Sequence, residues 1–120
     1  MKINFGRWIL LLVVGSLLSC GGDKKPAGIL SQDDMVRTLM DLYITEEKVN
    51  RLALGRDSAA QVFGLMEQRI FLQRNLSDSV FKQSMSYYMD RPLELESIYT
   101  ALVDSLQLRE QRIAAHPNAP

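Results

Sequence analysis

An all-α fold, a small bundle of three to four amphipathic helices, is what this 120-residue sequence predicts. Three observations carry that expectation. Apolar residues recur at helical spacing from Ile29 onward. Ser, Gly, Asn and Pro stand where helices would start and stop. No stretch alternates with β-branched residues as a half-buried strand would.

The first predicted helix opens at Ser31-Gln32-Asp33-Asp34, which reads as a capping box with both acids in the first turn, where the helix dipole favours negative charge. Met35, Leu39, Leu42, Glu46, Val49 and Ala53 then form one stripe. Gly55 reads as the stop and Asp57 as the next N-cap. In the second helix Val62, Phe63, Met66 and Ile70 share a face, widened by Leu65 and Leu72. Asn75 closes it and Ser77 caps the third, whose stripe is Phe81, Ser84, Met85 and Tyr88. Asp90-Arg91-Pro92 breaks the chain again, since proline disfavours a helical predecessor but suits a first helical turn. Leu95, Ile98, Tyr99, Leu102, Val103, Leu106 and Ile113 mark the last helix. The residues from His116 to Pro120 read as a disordered tail. Residues 29–115 are thus expected to make one helical domain of modest core.

The chain ahead of that domain has a different character. Lys2 and Arg7 make a basic start, Trp8 to Val14 an unbroken apolar run, and Leu17-Leu18-Ser19 leads directly to Cys20, the single cysteine. Basic, apolar and small residues in that order are the pattern of a secretory signal peptide, here residues 1–19. The run is too short for a membrane span, which takes about 20 apolar residues. The stretch Leu17-Leu18-Ser19-Cys20 resembles the lipobox of bacterial lipoproteins. That resemblance implies cleavage between Ser19 and Cys20, a diacylglycerol thioether on the Cys20 sulfur and an acyl chain on its freed amine. Only a thiol among the small side chains is nucleophilic enough for the first step. A free reactive thiol or an intermolecular disulfide is the competing reading. Two or more chains anchor stably where one holds only marginally. Residues 20–28, the lipidated cysteine and Gly21-Gly22-Asp23-Lys24-Lys25-Pro26-Ala27-Gly28, read as a flexible tether.

Charge is balanced, with 14 basic and 14 acidic residues; loss of residues 1–19 leaves 12 against 14. No basic stripe suits nucleic acid, whose binding rests on neutralising phosphates. With one histidine, His116, and Cys20 committed to lipid, no Cys/His metal cluster is expected, and no cofactor beyond the covalent chains on Cys20. Glu46-Glu47 and Asp33-Asp34 are adjacent pairs that point about 100° apart on a helix, so neither pair can face one substrate together. A carboxylate enzyme remains the third-ranked reading.

The third and fourth helices carry a family likeness. Phe81, Ser84, Tyr87 and Tyr88, then Pro92, Leu95, Ile98 and Tyr99, then Val103 and Leu106, with the opening segment Pro26, Ile29 to Ser31, Met35 and Asp41-Leu42-Tyr43-Ile44-Thr45-Glu46, resemble a family of small bacterial lipoproteins catalogued as domain of unknown function 4296. The likeness covers most of residues 26–106 and is weakest around 50–65. It implies a lipobox in the same place and brings no reaction, cofactor or ligand.

Glu46 lies in the stripe of the first helix, so a carboxylate aimed at the core is expected to meet hydroxyls from Ser84, Tyr88 and Tyr99. The competing use is a carboxylate lining a groove. Tyr88 belongs to the core, while Tyr87 falls at its rim as a candidate partner surface. Leu65, Leu72 and Leu108 lie off the main stripes and would form a binding patch if exposed together.

The expectation is therefore a lipid-anchored, non-enzymatic interaction module with a protein partner in the bacterial envelope. The resemblance to enteric lipoproteins, in which aspartate after the cysteine marks inner-membrane retention, implies that with Gly21 after Cys20 it would be held at the outer membrane facing the periplasm. The alternative is a small periplasmic binding protein holding a peptide or hydrophobic ligand between helices, in a cavity lined by Met66, Met85 and Tyr88.

Overall fold

A computed structural model describes residues 25–117 of the chain. Cys20, Ser19 and the rest of the leader lie outside the described residues. The described chain is all-α, with helices α1 (Gln32–Asn50), α2 (Arg56–Gln73), α3 (Asp78–Met89) and α4 (Pro92–Ala115). Among the described residues no helix is long and apolar enough to cross a membrane.

Local chemistry sets most of the boundaries. The Ser31 hydroxyl accepts from the Asp34 N–H at 3.0 Å and donates to the Asp34 carboxylate at 2.6 Å, which closes the start of α1. Ser77 does the same work for α3, accepting from the Val80 N–H. Pro92 sits in the first turn of α4, where its missing N–H costs nothing. At the end of α2, Asn75 takes the left-handed conformation with φ of 50°. The N–H of Leu76 then reaches the Phe71 carbonyl and that of Asn75 the Leu72 carbonyl. This paired closure satisfies two carbonyls that the helix leaves open.

Two boundaries differ from expectation. α1 ends at Asn50, and the chain turns through Arg51 to Ala53, which takes a φ of 51°. Gly55, expected to stop α1, is instead the N-cap of α2, and Asp57 falls inside the first turn. Asp57 there complements the helix dipole without capping.

α1 is the central element, packed against both α2 and α4, while α3 leans on α4. The core gathers Met35 of α1, Tyr88 of α3 and Ile98 of α4, all fully or almost fully buried. Ile29, Leu30, Leu39, Phe81, Met85 and Leu95 close around them. On the α2 side, Phe71 lies tilted against Phe81 with ring centroids 5.3 Å apart, and both Ile70 and Phe71 are buried.

The α2 face keeps Val62, Phe63 and Ile70 of the expected stripe but not Met66 or the expected widening. Ile70 and Phe71 are buried, whereas Leu65 and Leu72 are 70% and 77% exposed, and Met66 is exposed too. Ala59, Val62, Phe63, Glu67, Ile70, Phe71 and Arg74 form the covered side, which keeps the helical period. Glu67 and Arg74 interrupt its hydrophobicity.

Candidate functional site

Three polar contacts converge on Leu30, just ahead of α1. Its N–H donates to the Ser84 hydroxyl at 2.9 Å, and its carbonyl accepts from the Tyr88 hydroxyl at 2.7 Å. Ser84 donates its own O–H to the Val80 carbonyl one turn back. Both side chains come from one face of α3, four residues apart, and neither is exposed. Lys25 adds a second donor to the Leu30 carbonyl at 3.1 Å and lies 5.8 Å from the centre of the Tyr88 ring.

Between them, Pro26-Ala27-Gly28-Ile29 makes a turn closed by the Ile29 N–H on the Pro26 carbonyl. Gly28 supplies the positive φ of 85° that the third position of a type II turn demands. The segment Lys25–Leu30 is therefore bound to α3. Gly28, the end of the expected tether, is part of this bound turn.

Four of the polar and aromatic positions singled out in the sequence thus separate into two pairs. Ser84 and Tyr88 are buried and satisfied, but by the backbone of Leu30. Glu46 is exposed near the end of α1, and Tyr99 is 47% exposed on α4. The buried contact expected between Glu46 and these hydroxyls is not formed. The C-terminal half of α1 packs against α2, away from Ser84 and Tyr88, and a carboxylate there keeps its hydration at no cost. Glu46 borders a small hollow of about 210 Å³ between α1 and α2, with Val49, Asn50 and Phe63.

Tyr87 is half-buried. Its ring meets Tyr88 edge-on at 5.2 Å, and the Arg91 guanidinium lies 3.7 Å from its centre while donating to its carbonyl. Arg91 lies over one face of this ring, and Tyr87 sits at the rim of the core as expected. Met66 stands exposed while Tyr88 is packed on all sides, so the cavity expected of Met66, Met85 and Tyr88 gives way to packing.

A second interhelical fastening was not anticipated. Arg74, the C-cap of α2, donates through Nε and one terminal nitrogen to a single Asp41 oxygen, at 2.9 and 2.6 Å. The same nitrogen reaches the Arg37 carbonyl at 3.1 Å. Arg74 thereby holds the last turn of α2 to the middle of α1. On the surface of α3, the Asp78 carboxylate accepts from Lys82 and holds its pKa above the ordinary lysine value.

A larger concavity lies elsewhere, between the N-terminal half of α1 and the C-terminal third of α4. It is a groove of about 840 Å³. Val36, Met40, Leu108 and Ile113 contribute apolar surface, and Arg37, Arg109, Arg112 and His116 stand around it, with no acidic residue in the lining. On α4 the lining positions 105, 108, 109, 112, 113 and 116 follow the three-and-four spacing of one helix face. Among the described residues Arg37, Arg109 and Arg112 form no ion pair. The sequence showed Leu108 and Ile113 as apolar positions, but the arginines are scattered singly along it and only the helix pairing gathers them. Among the described residues no three His, Cys, Asp or Glu side chains come close enough to hold a metal ion.

A bundle pinned at its entrance and grooved along its last helix defines a class: a small all-α domain with an open, positively charged apolar cleft. The chain belongs to the family described as domain of unknown function DUF4296, whose model matches residues 26–112. That span runs from the first residue of the Pro26 turn into the basic end of α4. No curated protein and no solved structure matches the chain.

Proposed function

We propose that this protein is a lipid-anchored, non-enzymatic interaction module of the bacterial cell envelope, held by acyl chains on Cys20 at the outer membrane and facing the periplasm. The single observation that carries the interaction reading is the α1–α4 groove, in which Leu108 and Ile113 lie exposed and Val36 and Met40 half-buried among unpaired arginines. Apolar surface rimmed by charge is the usual form of a protein-binding face.

The anchor reading rests on the ordered leader of basic, apolar and small residues ending at Cys20. Combined with the bound Lys25–Leu30 segment, it gives a short connection. From Cys20 to Lys25 the chain spans at most about 17–18 Å, at 3.3–3.6 Å per residue. The end of the bundle carrying Leu30, Tyr88 and the start of α4 would then face the lipid.

Crosslinking in native membranes, followed by purification of this chain and identification of what is joined to it, tests the proposal. One defined protein partner recovered in stable proportion is the expected result. Recovery of the chain alone, across crosslinkers of different reach, would remove the interaction reading. The alternative, a small binding protein, draws on the size of the same groove, which falls within the range of ligand sites. It requires the melting temperature to rise when envelope extracts freed of protein are added.

A further inference from the structure

We infer that the α1–α4 groove is the docking site for an acidic amphipathic helix of a partner protein. The inference rests on the interaction reading above and names the partner's chemistry and the residues that meet it.

Charge complementarity comes first. The described chain, residues 25–117, carries more acidic than basic side chains, yet Arg37, Arg109 and Arg112 stand together on the groove without an acid among its lining residues. Arg112, in the last turn of α4, also complements the negative end of that helix. Arg37 and Arg109 have no such internal role. Guanidinium groups that are paired with nothing and spaced along a cleft suit carboxylates, which they grip through two parallel donors.

Shape and length come second. The face of α4 from Ser105 to His116 runs about 16 Å, at 1.5 Å per residue, or three helical turns. Leu108 is 49% and Ile113 58% exposed along it, with Val36 and Met40 half-buried on the opposite wall. A concave apolar strip of three turns accepts a convex helix whose anchors fall at i, i+3 or i+4, and i+7.

Position separates this occupant from a lipid surface. The start of α4 is tied to the start of α1, where Gln32 donates to the Glu94 carboxylate at 3.3 Å, next to the pinned Leu30. The groove borders α4 some 16–33 Å further along, from Ser105 to His116. A chain anchored through Cys20 would point that end away from its own bilayer.

The test uses the purified full-length protein in detergent and a fluorescent synthetic helix of about three turns, with leucines at the anchor spacing and glutamates flanking them. The same helix with lysine for every glutamate, and phosphatidylglycerol added to the detergent micelles as a competitor of helix binding, serve as comparison probes. The acidic helix is expected to bind, the lysine helix not. Arg109→Glu with Arg112→Glu is expected to weaken binding about tenfold, and salt to weaken it further. Leu108→Ser with Ile113→Ser removes the apolar floor and is expected to weaken binding without changing the preference for acid. All four positions are exposed, so thermal melts should stay close to the parent, confirming a folded bundle. No binding, equal binding of both helices, indifference to the arginine reversals, or displacement of the acidic helix by phosphatidylglycerol would each overturn the inference. Were the double reversal to leave the membrane crosslinking partner in place, the partner would use another face. The groove assignment would then fall while the interaction module stood.

Discussion

The Tyr88 hydroxyl donates a 2.7 Å hydrogen bond to the backbone carbonyl of Leu30, across 58 residues of chain. With Ser84 accepting from the Leu30 N–H, α3 satisfies both backbone groups of a residue that lies in no helix. The entry to α1 is thereby fixed from outside α1. Tyr88→Phe keeps the ring and removes the bond, and is expected to cost about 0.5–1.5 kcal/mol. Ser84→Ala leaves the Leu30 N–H without its acceptor and should cost more, about 1–3 kcal/mol. Thermal melts give the totals, and amide exchange at Leu30 should accelerate in both variants. Because the two bonds grip one residue from either side of its Cα, their losses are expected to be non-additive.

Arg74 and Asp41 define the second fastening, and its expected strength is modest because both side chains keep partial contact with water. Arg74→Lys retains the charge but loses the fork and the bond to the Arg37 carbonyl. A loss of about 1 kcal/mol is expected, shrinking as salt is added. A double-mutant cycle with Asp41→Asn isolates the pair. A cycle energy of zero would mean that the apolar face of α2 holds it without help from the ion pair.

Glu46 reverses an expectation drawn from the sequence. Burial there would have made Glu46→Ala clearly destabilising; the exposed carboxylate makes it neutral within about 0.5 kcal/mol. A large drop in melting temperature would place Glu46 in a contact that the structure does not contain.

At the end of α2, the left-handed backbone of Asn75 makes a prediction about side-chain shape. Asn75→Gly is expected to be tolerated, whereas Asn75→Val should cost about 1–2 kcal/mol, since a β-branched residue crowds that conformation. Chemical denaturation of the two variants measures the difference directly.

The helices were legible wherever a single local interaction decides the outcome. Ser31 and Ser77 cap as their positions suggest, Asn75 turns the chain, and Arg91-Pro92 separates α3 from α4. The stripe of α3 was also readable, because Ser84 and Tyr88 share one face with Phe81 and Met85. What failed were positions decided by which neighbour a helix meets. The stripe through Met35 and Val49 passes Glu46, but α1 trades α3 and α4 for α2 along its length, and the covered face shifts with the partner. Thr38 is buried beside Met35 although polar, because its hydroxyl donates to the Asp34 carbonyl within the same helix. On α2 Val62, Phe63 and Ile70 are covered as their spacing suggests, but Glu67 and Arg74 share that side, and the apolar Leu65, Met66 and Leu72 stand exposed beside it. The groove was not legible at all. Its arginines come from two helices separated by two others, and only tertiary pairing places them together.

The most direct test of the lipid-anchored account is intact mass spectrometry of the protein purified from bacterial membranes. The account expects a chain beginning at Cys20 and carrying a diacylglycerol and an acyl group, with the precursor retained uncut in a Cys20→Ser variant. An unmodified thiol at Cys20, or a leader still attached to the wild-type chain, would contradict it.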